Sequence, residues 1–166
     1  MRSVTKVKDS DKLPKFEQAD LQVFSDLEEN DKVLSWFEQL HQTPIPKKVW
    51  LECELALVEG FTNVVRHAHK YLPRETPIDI EVQIYTEQVE ITIWDYGQPF
   101  ELLEWLKQQP TQTDIWAGGG WGIKLMYAIA DNISYTRTSD HRNCLLIVKK
   151  YWPPTQEENN TSDGNT

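Results

Sequence analysis

The sequence predicts an α+β two-layer sandwich: a mixed, mostly antiparallel sheet with about three helices on one face. Three observations lead there. Ile78, Ile80, Val82 and Ile84 alternate with polar residues, and Val89, Ile91 and Ile93 resume the alternation after Thr86-Glu87-Gln88, which is the pattern of a hairpin covered on one side. Lys47 to about Leu72 carries the longest helical period of the chain. A second alternating pair, Ile133 to Thr138 and Asn143 to Tyr151, flanks a polar turn near the end. The order of strand, helix, helix, hairpin, irregular segment, helix, hairpin suits that sandwich better than a doubly wound parallel sheet.

Taken in order, residues 1–15 read as a flexible tail, 16–152 as one folded domain and 153–166 as a disordered, Asn- and Thr-rich tail. Leu21 to Phe24 alternates like a short strand. Asp26 can cap a helix running to about Leu40, with Leu27, Val33, Leu34, Phe37 and Leu40 apolar. His41 to Pro46 is a loop. The long helix follows and is stopped by Pro73. Its apolar arc holds Trp50, Cys53, Leu57, Phe61, Val64, Val65 and Ala68, while Glu52, Glu59, Asn63, Arg66 and Lys70 gather on the opposite side. Asp95-Tyr96-Gly97-Gln98-Pro99 is a turn cluster after the first hairpin. Phe100 to Ala117 is mixed, with a short helix over Glu101 to Gln108 and a loop around Pro110. Gly118-Gly119-Gly120-Trp121-Gly122 then opens a helix to about Ala130.

Composition excludes several function classes. A net charge of −9 disfavours general nucleic-acid binding, which needs a basic face to neutralise phosphates, and disfavours an anionic membrane surface. Cys53 and Cys144 form no CxxC pair and read as two reduced core thiols. No apolar core of a secretory signal stands in Met1 to Asp20, and the longest apolar run, Cys144 to Val148, is far too short to span a bilayer. A cytoplasmic protein is expected.

Three places carry chemistry. Glu59 and Asn63, four residues apart, lie on adjacent turns of one helix face. A carboxylate and an amide so placed offer hard oxygen ligands for Mg²⁺, or a base for an attacking hydroxyl; the same residues also read as a wet polar face. Asp95 falls in phase with Val89, Ile91 and Ile93 and so points to the covered face. An inward carboxylate needs a donor, which an exocyclic amine of adenine supplies, or else the Asp closes its own turn. Gly97 beside it permits a close approach. Four glycines in the five residues Gly118 to Gly122 free backbone N–H groups at a helix start, where anions are favoured, and Lys124 stands one turn in. Lys124 is followed by Leu125, so this is not a Walker loop. His67 and His69 read as surface residues or part of the helix end; their spacing puts them about 200° apart, which disfavours a zinc pair.

The order of these features resembles the GHKL (Bergerat) nucleotide-binding fold. Within it the chain looks most like the anti-sigma-factor serine kinases of the RsbW and SpoIIAB type. ELALVEGFTNVVRHAH resembles their N-box helix, IWDYGQPF their first glycine box, GGGWGIKLMYAIADNISY their second and NCLLIVKK their last strand; the resemblance covers Leu21 to Lys150. It implies that Glu59 is the general base, that Asn63 ligates Mg²⁺ and that Asp95 holds the adenine of ATP, with Gly97 beside it. Gly118, Gly119, Gly120 and Gly122 would lie along the phosphates with Lys124, and Phe100 to Ala117 would be the ATP lid. Pro99 and Trp121 depart from the residues common at their positions. Trp105, Trp116 and Trp121, in or beside that lid, read as core packing of the closed lid or else as a contact surface.

The same resemblance implies an ATP-dependent protein serine kinase that phosphorylates a STAS-domain antagonist and sequesters a partner such as a sigma factor, as a homodimer. A module that holds ATP or ADP and sequesters a protein without transfer is the alternative reading. No acceptor-histidine dimerisation element of a histidine kinase is visible, and relatives of that kind carry Asn where this chain has Glu59.

Overall fold

The computed structural model describes residues 15–42, 44–108 and 121–152. Five strands, β1 (Lys15–Phe24), β2 (Pro77–Tyr85), β3 (Gln88–Asp95), β4 (Asn132–Arg137) and β5 (Asn143–Lys150), form one sheet in the order β1-β2-β3-β5-β4. The helices are α1 (Asn30–Glu38), α2 (Lys47–Asn63), α3 (Leu102–Gln108) and α4 (Trp121–Ile129). All four strand pairings are antiparallel, so the mixed sheet expected from the sequence is, among the described residues, purely antiparallel. The reason is topological. β4 and β5 form a hairpin, and β5 turns back between β4 and β3.

Alternation decides which face is covered. Ile78, Ile80, Val82 and Ile84 of β2, Val89, Ile91 and Ile93 of β3, and Leu145 and Ile147 of β5 are all buried and point to the helical side. There they meet Val33 and Phe37 of α1, Trp50, Leu57 and Phe61 of α2 and Met126 of α4. The Phe37 and Trp50 rings stack at 4.2 Å and 9°, which locks α1 to α2. α2 meets the sheet through Gly60, set against Ile93 and Leu145.

Three boundaries differ from the expectation. β1 begins at Lys15 rather than Leu21 and pairs with β2 along its length, with a register shift between Lys15 and Glu17. It is an edge strand whose outward residues Gln18, Asp20 and Gln22 are exposed, so its sequence reads as polar coil although its inward residues include Ala19, Leu21 and Val23. Asp26 caps as anticipated, its Oδ1 accepting the Glu28 N–H at 3.0 Å, but a 3₁₀ turn over Leu27–Glu29 precedes α1. The long helix ends at Asn63 and passes into a π turn, Val64–Ala68, well before Pro73. The His69 N–H donates to the Val64 carbonyl at 2.8 Å and closes that turn.

Neither Cys53 nor Cys144 is in a disulfide. Burial pushes the Cys53 thiol up to about 12, leaving it inert as a nucleophile. Cys144 is only half-buried, because its place in β5 turns it to the open side of the sheet. No helix among the described residues is long and apolar enough to cross a membrane.

Candidate functional site

Glu59 and Asn63 stand on the last turns of α2, and both are half-buried rather than on a wet face. What covers Glu59 is the start of α4. A Cβ added to Gly122 would run into the Glu59 carboxylate, with Glu59 Cδ at 3.1 Å, so a larger residue there would displace the carboxylate from the α4 N-terminus. A carboxylate in that position faces the positive end of the helix. One turn further along α2, the Asn63 Nδ2 is buried and makes no hydrogen bond. Such an orphaned amide is costly in a finished core and points to a group the chain itself does not supply. The carboxamide can equally present its oxygen, a hard ligand for a cation, by a half-turn of its end.

The π turn carries the chain from Asn63 to the end of β3. A Cβ on Gly97 would lie 2.8 Å from the Ala68 carbonyl oxygen and 2.9 Å from the Ala68 Cβ, so backbone meets backbone here. π turns of this kind recur at functional sites, where they re-aim side chains. Here the effect falls on His69, only 2 % exposed, which the sequence assigned to the surface or the helix end. Its Nε2 accepts the Tyr96 N–H at 2.8 Å, and its Nδ1 faces the Ser25 hydroxyl at 3.1 Å. The first bond requires a lone pair on Nε2, so the ring is neutral with its proton on Nδ1. His67, by contrast, is exposed.

Burial holds the His69 pKa below its ordinary value, against the opposing pull of Asp95. Protonation would set an N–H against the Tyr96 N–H. The unfolded chain, with an ordinary histidine near 6.5, therefore binds more protons than the folded one. The stabilisation is complete above that pH and is lost as pH falls below it. His69→Gln keeps a donor and an acceptor but does not titrate. Urea midpoints measured between pH 7.5 and 5 should fall more steeply for the wild type than for this variant.

Asp95 ends β3 with its carboxylate inward and 1 % exposed. Its Oδ1 accepts two hydrogen bonds at 2.8 Å, from the Gly97 N–H and from Asn143 Nδ2. Its Oδ2 accepts the Tyr135 hydroxyl at 2.7 Å. The Asx-type turn read from sequence is therefore present, and it leaves Oδ2 with one bond where a carboxylate oxygen accepts about two. Asn143, itself 1 % exposed, faces Asp95 across β3 and β5 and also donates to the Gly97 and Gln98 carbonyls, each at 3.1 Å. Arg137 donates to the Gly97 carbonyl at 2.8 Å and to Asn143 Oδ1 at 3.1 Å. The turn after β3 is thus held from three strands.

A groove of about 310 Å³ lies elsewhere, on the open face of the sheet, lined by Asp20, Gln22, Asp79, Glu81, Trp94 and Arg142. Asp79 holds the Arg142 guanidinium at 3.0 Å there. It shares no residue with the helical-side constellation, whose chemistry is the more specific of the two.

The family model of the histidine kinase-like ATPase domain matches residues 23–149. The chain belongs to that family. Its members are ATP-binding domains. Among solved structures, the chain is similar to the crystal structure of the RsbU and RsbW domains of Rv1364c from Mycobacterium tuberculosis, with a TM-score of 0.58 at 11 % identity. The match covers 83 % of this chain and 34 % of that one, so the ATPase domain spans about a third of that protein's chain and the likeness is one of fold. No curated protein matches the sequence.

The structure sets the sequence-derived site residues on one side of the sheet where it describes them. Glu59 meets Gly122, Asp95 bonds Gly97, and Asn63 lies between these two contacts along α2 and the π turn. Lys124 is half-buried in the first turn of α4. Gly118, Gly119, Gly120 and the second half of the expected lid lie outside the described residues; α3 occupies part of its first half, Leu102–Gln108. Tyr135, Arg137, Asn143 and His69 were missed. For Asn143 a signal existed: it is in phase with the inward Leu145 and Ile147, as Asp95 is with Ile93.

Proposed function

We propose that this ATPase domain is a protein serine kinase of the anti-sigma-factor type, which uses ATP with Mg²⁺ to phosphorylate a partner protein and controls a partner by binding it. The observation that carries the reading is the contact of Glu59 with Gly122 beside the unpartnered Asn63 amide. A base, a cation ligand and a helix N-terminus then share one side of α2. Phosphoryl transfer asks a protein mainly for positioning and charge neutralisation, and these are the parts it needs. Bound Mg²⁺ supplies charge neutralisation on the phosphates. It is usually held by one or two protein oxygens plus phosphate and water, so Asn63 suffices, and no cluster of three acidic, His or Cys ligands exists among the described residues. Glu59 receives the proton of the attacking serine hydroxyl. The N-terminus of α4, with Lys124 and the glycines before it, favours the phosphate charge. Asp95 accepts the adenine amine.

The RsbU and RsbW domains named for the similar structure support a place in partner switching. The substrate is then a serine on a STAS-domain antagonist, with a sigma factor as the competing partner, and the domain works as a cytoplasmic homodimer. Two measurements test the reading in turn. Mg²⁺–ATP at a hundred times its Kd should stabilise the folded chain by about 2.7 kcal/mol, read as a raised Tm. Labelled ATP should then pass its γ-phosphate to serine on a captured partner. A chain that shows no thermal shift at millimolar nucleotide does not bind ATP. A shift without transfer identifies a nucleotide-holding module that sequesters its partner and has no kinase activity.

A further inference from the structure

We propose that Tyr135 is a positioning residue for base recognition, fixing Asp95 so that one lone pair of Oδ2 is aimed at the amine of the purine. The inference rests on the reading of the helical side as an ATP site. The Asp95 carboxylate has four places for donors in all, and the chain fills three of them: the Gly97 N–H and Asn143 Nδ2 at Oδ1, and the Tyr135 hydroxyl at Oδ2. Three bonds from three segments leave the carboxylate no rotational freedom. Both oxygens are acceptors only, so the remaining place takes an N–H donor and rejects a carbonyl.

Tyr135 differs from the other two partners in where it stands. Asn143 and the Gly97 amide are buried, whereas Tyr135 is half-buried. The Phe100 ring meets it edge-on at 6.1 Å and 77°, directly before α3. Its hydroxyl thus holds the one Asp95 oxygen with a vacant acceptor position, while its ring meets Phe100. Burial and the neighbouring Asp95 charge raise the ionisation of its phenol well above the ordinary tyrosine range, so the group stays a donor at any working pH.

The test compares two nucleotides in calorimetry on the full chain: Mg²⁺–ATP and the Mg²⁺ triphosphate of purine riboside, which lacks the exocyclic amine. The wild type should bind ATP at least tenfold more tightly than the amine-free analogue. In Tyr135→Phe, which keeps the ring and its contact with Phe100, ATP affinity should fall about five- to twentyfold while the analogue is unaffected. In an Asp95→Asn background the same change should have no further effect on ATP. Equal weakening for both nucleotides would make Tyr135 a mere wall of the pocket and overturn the inference, as would an undiminished preference for ATP in Tyr135→Phe. A wild type that binds ATP and the analogue equally would end the role of the amine, while the ATP site stood. A wild type that binds neither would remove the ATP site itself.

Discussion

Asp95→Asn should keep its stability and lose its response to Mg²⁺–ATP, whereas Asp95→Ala should lose that response and be destabilised as well. Alanine removes the acceptor of three donors at once, the Gly97 N–H, Asn143 Nδ2 and the Tyr135 hydroxyl, in a place that water does not reach freely. Asn143 Nδ2 keeps its bonds to the Gly97 and Gln98 carbonyls, so the two other groups bear the loss. Leaving buried donors unmet costs about 1–3 kcal/mol each, and a loss of about 3 kcal/mol is expected in urea unfolding. That corresponds to a Tm lower by roughly 6–12 °C for a chain of this size. Asparagine has the same shape. Its oxygen takes over the two bonds at Oδ1, and the Tyr135 hydroxyl can turn to accept from its NH₂, so stability should change by about 1 kcal/mol or less. An adenine amine would then meet a donor instead of an acceptor. A wild-type thermal shift with nucleotide in Asp95→Asn would remove Asp95 from recognition.

The second large effect is on transfer. Glu59→Gln preserves the length and shape of the side chain, so it fits beside Gly122 as the glutamate does. It removes the capacity to accept a proton. Phosphorylation of the partner should fall by about a hundred- to ten-thousandfold, the range of general-base contributions, with ATP binding by calorimetry retained. A full-rate Glu59→Gln would leave proton acceptance to another group. Loss of ATP binding together with transfer would make the carboxylate part of the nucleotide pocket rather than the base.

Much of the fold was legible because burial and period agree in the strands. Ile78 to Ile84 and Val89 to Ile93 alternate without exception, and each inward member is buried. Asp95 was legible for the same reason, as a polar residue at an inward position. The helix end was not. Val64, Val65 and Ala68 keep an apolar pattern, so the sequence continues as if helical until Pro73, yet the π turn is set by partners far away: Ser25, Tyr96 and Gly97. Local preference cannot encode a bend whose reasons lie 25 to 45 residues distant. Glu59 and Asn63 looked wet because a helical wheel knows only one helix, and α4 covers Glu59 from the other half of the chain. Asn143 could have been read from its phase with Leu145 and Ile147, but Tyr135 and Arg137 act across strand pairs, where spacing along the sequence does not name the partner.

The π turn has one more consequence. A wide turn accommodates one residue more than an α-turn over the same height, and His69 reaches Ser25 and Tyr96 only because of that added residue. Removing any single residue from Val64–Ala68 would return the backbone to ordinary pitch and take away the widened turn that the His69 N–H closes on the Val64 carbonyl. The imidazole would then leave both of its neighbours, and Ala68 would slide off Gly97. Between Asn63 and His69 the chain should therefore accept altered side chains more readily than an altered count of them: here the ruler matters more than the lettering.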